Sequence, residues 1–174
     1  MLRSALALGL VMAVLAPLPA TADTSDFPTY SGDEFVTLYE YAVTNVLPGL
    51  DAPIGRTAIT GNAELDDRIW DIAFARGYVL RPVASGSLDS VDGVPMQHDT
   101  AVAWIGLRAA ARAAGLGFIV SSAYRSPSTQ RTHFVSKLQG TSDADIDAAL
   151  TWYSVPGTSK HHSGYAVDFR YADG

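Results

Sequence analysis

The sequence predicts one α+β domain, with helices packed on a small antiparallel sheet, and three observations carry that prediction. Five stretches repeat apolar residues at the spacing that gives a helix one buried stripe. Two shorter runs, Leu116 to Ser122 and Tyr165 to Phe169, have the β-branched content or the alternation of strands. Pro48-Gly49, Gly77, Gly115, Gly140 and Pro156-Gly157 punctuate the junctions. With 174 residues, 48% hydrophobic and 17% charged, the chain can bury one core and is neither disordered nor fibrous in composition.

Taken in order, Met1 to Ala22 reads as a secretory signal. Arg3 supplies the charged start, Ala5 to Leu15 the apolar stretch, and Ala20-Thr21-Ala22 the cleavage site. The uncharged run from Ser4 to Ala16 is short of the ~20 residues that span a bilayer. Export therefore delivers a mature protein without a membrane span to the periplasm or the exterior. Residues 23–34 are a polar, flexible start. Phe35, Leu38, Tyr39, Ala42, Val43 and Val46 then form a first helix, ended by Pro48-Gly49. A second runs from Ala63 to Arg76, with Glu64, Asp66 and Asp67 at its positive end and Gly77 as its cap. Tyr78 to Leu80 is a short strand, and the Gly/Ser/Asp-rich stretch 85–93 a loop. A third helix covers Asp99 to Ala114, with Trp104, Leu107 and Ala111 on its apolar face.

The strand Leu116 to Ser122 leads into a turn at Arg125-Ser126-Pro127. Pro127 suits the first turn of a fourth helix through Gln130, Phe134 and Leu138. A fifth spans Ala144 to Tyr153. In the last strand Tyr165, Val167 and Phe169 face one way, Ala166 and Asp168 the other. The strands come mostly from the C-terminal half, and Trp70, Trp104 and Trp152 at helical positions are expected in the core. The chain divides into the signal, an N-terminal helical region over 23–95 and a core over 96–174.

Net charge is −6, so the basic excess of a nucleic-acid surface is missing. There is no cysteine, which excludes disulfides, thiol catalysis and Cys-ligated zinc. The densest polar cluster is Ser159-Lys160-His161-His162-Ser163-Gly164-Tyr165-Ala166-Val167-Asp168. If Gly164 turns the chain from loop into strand, His161 and Asp168 can converge, and an imidazole nitrogen with a carboxylate oxygen suits zinc. Ala166 would leave room beside the ion. Spacing alone also allows an exposed loop and a solvent-facing Asp168. His98 and His133 are expected to be structural, and His162 solvated or supporting its neighbour.

A second motif is Ser122-Ala123-Tyr124-Arg125-Ser126 with Gln130 after it. The two motifs together resemble the VanY-type D-alanyl-D-alanine carboxypeptidases, a zinc peptidase family acting on cell-wall peptides, whose signatures look like S-x-Y-R-S followed by Gln and S-x-H-x-x-G-x-A-x-D. The likeness covers 96 to 174 and extends less securely to the Ile59-to-Leu80 stretch. It implies the D-Ala-D-Ala carboxypeptidase/hedgehog-type peptidase fold, with Zn2+ held by His161 and Asp168. Arg125 would bind substrate and stabilise the oxyanion, and Gln130 and Ser159 would line the pocket.

The implied partner is a peptidoglycan stem peptide ending in D-Ala, met by a monomer. The family takes its third ligand and its general base from a later E-x-W-H segment, whereas here no Glu follows Glu64 and no His follows His162. The fold is thus expected to be C-terminally incomplete. A truncated enzyme, a non-catalytic peptide-binding module, and an enzyme recruiting His98, His133 or His162 are the three readings. Under the first, the last strand lacks neighbours for its apolar face and the chain is unstable or aggregates. An endopeptidase of the same architecture is a further alternative.

Overall fold

The computed structural model describes residues 30–172; the signal expected over Met1 to Ala22 lies outside them. The five expected helices are α1 (Gly32–Asn45), α2 (Ala63–Ala75), α3 (His98–Ala113), α4 (Pro127–Lys137) and α5 (Asp143–Trp152). A 3-10 turn covers Lys160–Ser163. Helix α1 starts earlier than its apolar spacing predicts because Ser31 and Glu34 cap it reciprocally. The Ser31 hydroxyl accepts from the Glu34 N–H at 3.3 Å, and the Glu34 carboxylate accepts from the Ser31 N–H at 2.8 Å. Ser126 caps α4 in one direction only, its hydroxyl accepting from the Thr129 N–H at 3.1 Å, with Pro127 in its first turn as expected.

Strands pair antiparallel in three separate two-stranded ladders, β1 (Leu50–Asp51) with β2 (Val83–Ala84), β3 (Asp89–Val91) with β4 (Val94–Met96), and β5 (Phe118–Ser122) with β6 (Asp168–Tyr171). They do not come mostly from the C-terminal half. The stretch read as a loop over 85–93 contains β3, and its hairpin turn is Asp92-Gly93, with φ of 55° and 81°. Asp-Gly between Val91 and Val94 is a strong hairpin signal, masked here by the polar residues before it. Tyr78 to Leu80 is not a strand. Its Tyr78 hydroxyl donates to the Leu150 carbonyl at 2.9 Å, which fastens the segment to α5 instead of to a neighbouring strand.

Two apolar clusters form the core. Ile69, Trp70 and Ala73 of α2 meet Phe134 of α4 and Ile146, Ala149 and Leu150 of α5, with Ile59 and Val155. Met96, Ala101, Trp104, Val120 and Ala123 form the second, joined by Val91, Val94, Phe118 and Val167. Trp152 is not core: its side chain lies on the surface, 70% exposed, with the Lys137 ammonium 4.8 Å from the ring centre. The buried stripe of α3 is Ala101, Trp104 and Ala111, and Leu107 falls outside it at 48% exposure. The apolar face expected to be bare near the end of the chain is partly covered, since Val167 packs in the second cluster and the Phe169 ring stacks on Trp104 at 5.9 Å. Phe169 remains half exposed.

Asp66 organises the chain ahead of α2. Its carboxylate accepts from the N–H groups of Ile59, Thr60 and Gly61 and from the Thr60 hydroxyl, at 2.6 to 3.4 Å. Burial pushes its carboxyl up, but these bonds outweigh burial and the net shift is downward. Asp66 therefore contributes its full stabilisation above the unfolded-state pKa of about 3.9 and loses it as pH falls through the lower folded-state value. Asp66→Asn should lower Tm by roughly 5 °C at neutral pH. In melts taken into acid, the gap from wild type should close as the native carboxyl protonates.

Candidate functional site

The site grows from one backbone junction, where the segment after β5 lies alongside the 3-10 turn. The Arg125 N–H donates to the His161 carbonyl at 3.1 Å, and the His162 Nδ1 lies 2.6 Å from the Arg125 carbonyl. Gly164 ends the turn with φ of 76°, the left-handed conformation that glycine adopts without strain. The chain then returns into β6, which begins at Asp168, three residues later than the strand expected from Tyr165. Pairing of β5 with β6 sets Ser122 opposite Asp168, because the ladder skips Ser121 between Val120 and Ser122. The bulged Ser121 hydroxyl donates to the Asp168 carbonyl at 3.1 Å.

These two constraints bring the predicted ligands together. His161 Nε2 lies 3.1 Å from Asp168 Oδ2. On the other side of the ring, Nδ1 lies 2.7 Å from the Ala123 carbonyl. A carbonyl only accepts, so Nδ1 carries hydrogen, and in the neutral imidazole the Nε2 lone pair faces the carboxylate. Two electron-rich atoms this close require a shared cation or a shared proton between them. An outer carbonyl that fixes the tautomer is what an imidazole ligand to a metal needs. The donor chemistry, one nitrogen and one carboxylate oxygen, fits zinc. The His161 side chain is 14% exposed and that of Asp168 59%, so the pair opens to solvent on the carboxylate side.

Arg125 is held from two directions. Its Nη1 donates to Gln130 Oε1 and its Nη2 to Ser122 Oγ, both at 3.0 Å, and its guanidinium lies 5.8 Å from the Tyr153 ring centre. Gln130 is 1% exposed, and its Nε2 donates to the Ser154 carbonyl at 2.7 Å and reaches Ser154 Oγ at 3.2 Å. Both ends of that amide are therefore occupied. Ser159 is buried and caps the 3-10 turn, its hydroxyl accepting from the His161 N–H at 3.3 Å. Ser122, Ser154 and the Ala123 carbonyl were not singled out from sequence. Ser122 stood inside the first motif, while Ser154 and a main-chain oxygen give no sequence signal.

The other histidines stand apart from the pair. His162 is fully buried rather than solvated; its Nε2 accepts from the Gly157 N–H at 2.9 Å while Nδ1 donates to the Arg125 carbonyl. Burial is the main cause holding its pKa below the ordinary imidazole value. His133 stacks on Tyr153 at 4.9 Å, and the exposed His98 pairs with Asp89 at 2.8 Å. Among the described residues, no group of three or more His, Cys, Asp or Glu side chains gathers in one place.

Residues 93–173 match the family VanY, D-alanyl-D-alanine carboxypeptidase. No curated protein matches the chain. Among solved structures, VanYB in complex with D-alanine-D-alanine is 32% identical over 50% of this chain and 52% of that one, with a TM-score of 0.47. A mutant of the vancomycin-resistance D,D-pentapeptidase VanY from a VanB-type resistance cassette, in complex with Zn(II), is 31% identical over 56% of this chain and 55% of that one, with a TM-score of 0.46. The LdcB LD-carboxypeptidase is 22% identical over 49% of this chain and 38% of that one, with a TM-score of 0.42. The chain thus spans about half the length of the first two.

Proposed function

We propose that the junction of His161, Asp168 and Arg125 is the working centre of a zinc peptidase that removes terminal D-alanine from peptidoglycan stem peptides, a reading supported by the match of residues 93–173 to the VanY family model, D-alanyl-D-alanine carboxypeptidase. The observation that carries this reading is the 3.1 Å approach of His161 Nε2 to Asp168 Oδ2 with Nδ1 tied back to Ala123. His161 and Asp168 would hold the ion. Bound zinc supplies Lewis-acid polarisation of the scissile carbonyl and acidifies its water.

The chain's own residues do the rest. Arg125 offers an always-charged planar fork, suited to the terminal carboxylate of the peptide or to the oxyanion that develops at the carbonyl. Gln130 and Ser122 hold that fork in place, so Gln130 serves substrate binding through Arg125. Ser159 keeps the 3-10 turn, and with it His161, in position. Substrate chemistry assigns the work to the periplasm or the exterior, in keeping with the leader expected over Met1 to Ala22. No helix of the described residues is long and apolar enough to cross a membrane.

A second reading, a non-catalytic stem-peptide binder, is favoured by the two donors that converge among the described residues, since a catalytic zinc ordinarily has three protein ligands. The two are separated by incubating the zinc-supplemented protein with a stem peptide ending in D-Ala-D-Ala. Release of free D-alanine, suppressed by a chelator, supports the peptidase. Saturable peptide binding without release supports the binder, and the absence of both release and binding contradicts both readings.

A further inference from the structure

We infer that Gln97, outside both sequence motifs, is a positioning residue that clamps the His161 turn against the chain over residues 39–49; the inference rests on the metal-site reading above. Gln97 occupies the residue just before α3, where a short polar side chain ordinarily caps the helix, yet it makes no side-chain cap. Its buried amide reaches away instead. Nε2 donates to the Ser163 carbonyl at 3.0 Å and to the Gly49 carbonyl at 2.9 Å, while its backbone N–H donates to the Gly164 carbonyl at 3.1 Å. One residue thus holds two successive carbonyls of the turn that presents His161.

The space around this side chain is cleared by two glycines in the left-handed conformation. A Cβ on Gly49 would stand 3.0 Å from Gln97 Oε1, and one on Gly164 3.1 Å from its Cγ. The clamp draws on chain before the matched segment. Besides Gly49, the Pro48 carbonyl accepts from the Tyr165 hydroxyl at 2.9 Å, and the Tyr39 ring lies 4.9 Å from the Lys160 ammonium. A strap over residues 39–49 therefore backs the turn from behind, with Gln97 as its rivet. His161 sits on this turn, its carbonyl bonded to the Arg125 N–H and its Nδ1 to the Ala123 carbonyl while Nε2 lies 3.1 Å from Asp168, so slack in the turn is slack at His161.

Gln97→Met keeps the length of the side chain and removes both donors. In the metal-free protein, amide exchange of Arg125 and Gly164 should accelerate about tenfold through local opening, while the Thr60 amide, held by Asp66, stays unchanged. Unchanged Arg125 and Gly164 rates, or equal acceleration at Thr60, would overturn the inference. Zn2+ affinity by calorimetry should fall about tenfold, as for loss of an outer partner of a metal ligand; full affinity would also overturn it. A wild-type protein that takes no Zn2+ counts against the peptidase reading alone, and the exchange rates still decide this one. If Gln97→Met fails to fold, Gln97→Asn keeps a polar amide but is too short to reach the Ser163 and Gly49 carbonyls together. It should speed the Gly164 amide about threefold, and an unchanged rate overturns the inference.

Discussion

Replacing Asp168 by alanine should reduce Zn2+ affinity at least about 100-fold, beyond the 10–100-fold that loss of an outer-shell partner costs. Among the described residues the carboxylate is one of two donors that converge, and its removal leaves a single imidazole. Stability should hardly change. The side chain is 59% exposed and, among the described residues, its ionic partner is His161, so the expected effect on folding is within about 0.5 kcal/mol. Tm and zinc affinity therefore separate in this variant, and calorimetry with Zn2+ on samples of verified Tm measures both. Asp168→Asn keeps the shape and loses the charge, and it should fall between wild type and alanine.

Arg125→Ala should lower turnover of a D-Ala-D-Ala peptide by about 10²- to 10³-fold, the size of effect seen on removing one oxyanion donor. Unlike Asp168, this substitution also strikes the fold. Gln130 Oε1, buried at 1% exposure, loses its partner, and an orphaned buried acceptor costs about 1–3 kcal/mol. Arg125→Lys retains the charge but cannot serve Gln130 and Ser122 together while presenting a planar pair of donors. It should therefore bind Zn2+ normally and still lose most of the turnover. Steady-state kinetics beside Zn2+ titration checks this, because equal loss of metal and activity would make Arg125 a scaffold residue only.

Much of this arrangement was legible in the residues because it is local. Apolar periodicity located all five helices, and Gly164 announced the turn between His161 and β6. What escaped was long-range. Three separate ladders depend on which short segments meet, and a two-residue strand such as Val83–Ala84 has no periodicity to read. The α1 start was readable in Ser31 and Glu34 but overshadowed by the apolar spacing that begins at Phe35. Trp152 sits at a helical position like Trp70, yet α5 turns it outward, and only the packing partners of α5 decide that.

The candidate site divides along the same line. His161 and Asp168 are close in sequence with a glycine between them, so their approach could be expected. Gln97 donates across 66 residues to Ser163, and no pattern near it hints at that. His162 is expected from sequence in a supporting or solvated role because it follows the candidate ligand His161; its burial and its bond from the Gly157 N–H depend on a turn fixed elsewhere. The tautomer of His161 rests on a main-chain oxygen at Ala123, a partner that any residue could supply.

The most direct test is anomalous diffraction at the zinc edge from crystals of the protein soaked in Zn2+. One peak bonded to His161 Nε2 and an Asp168 carboxylate oxygen, at about 2.0–2.2 Å, is the result this account predicts. Zinc found only at the exposed His98 and Asp89 pair, or no ordered zinc with His161 and Asp168 still in direct contact, would contradict it.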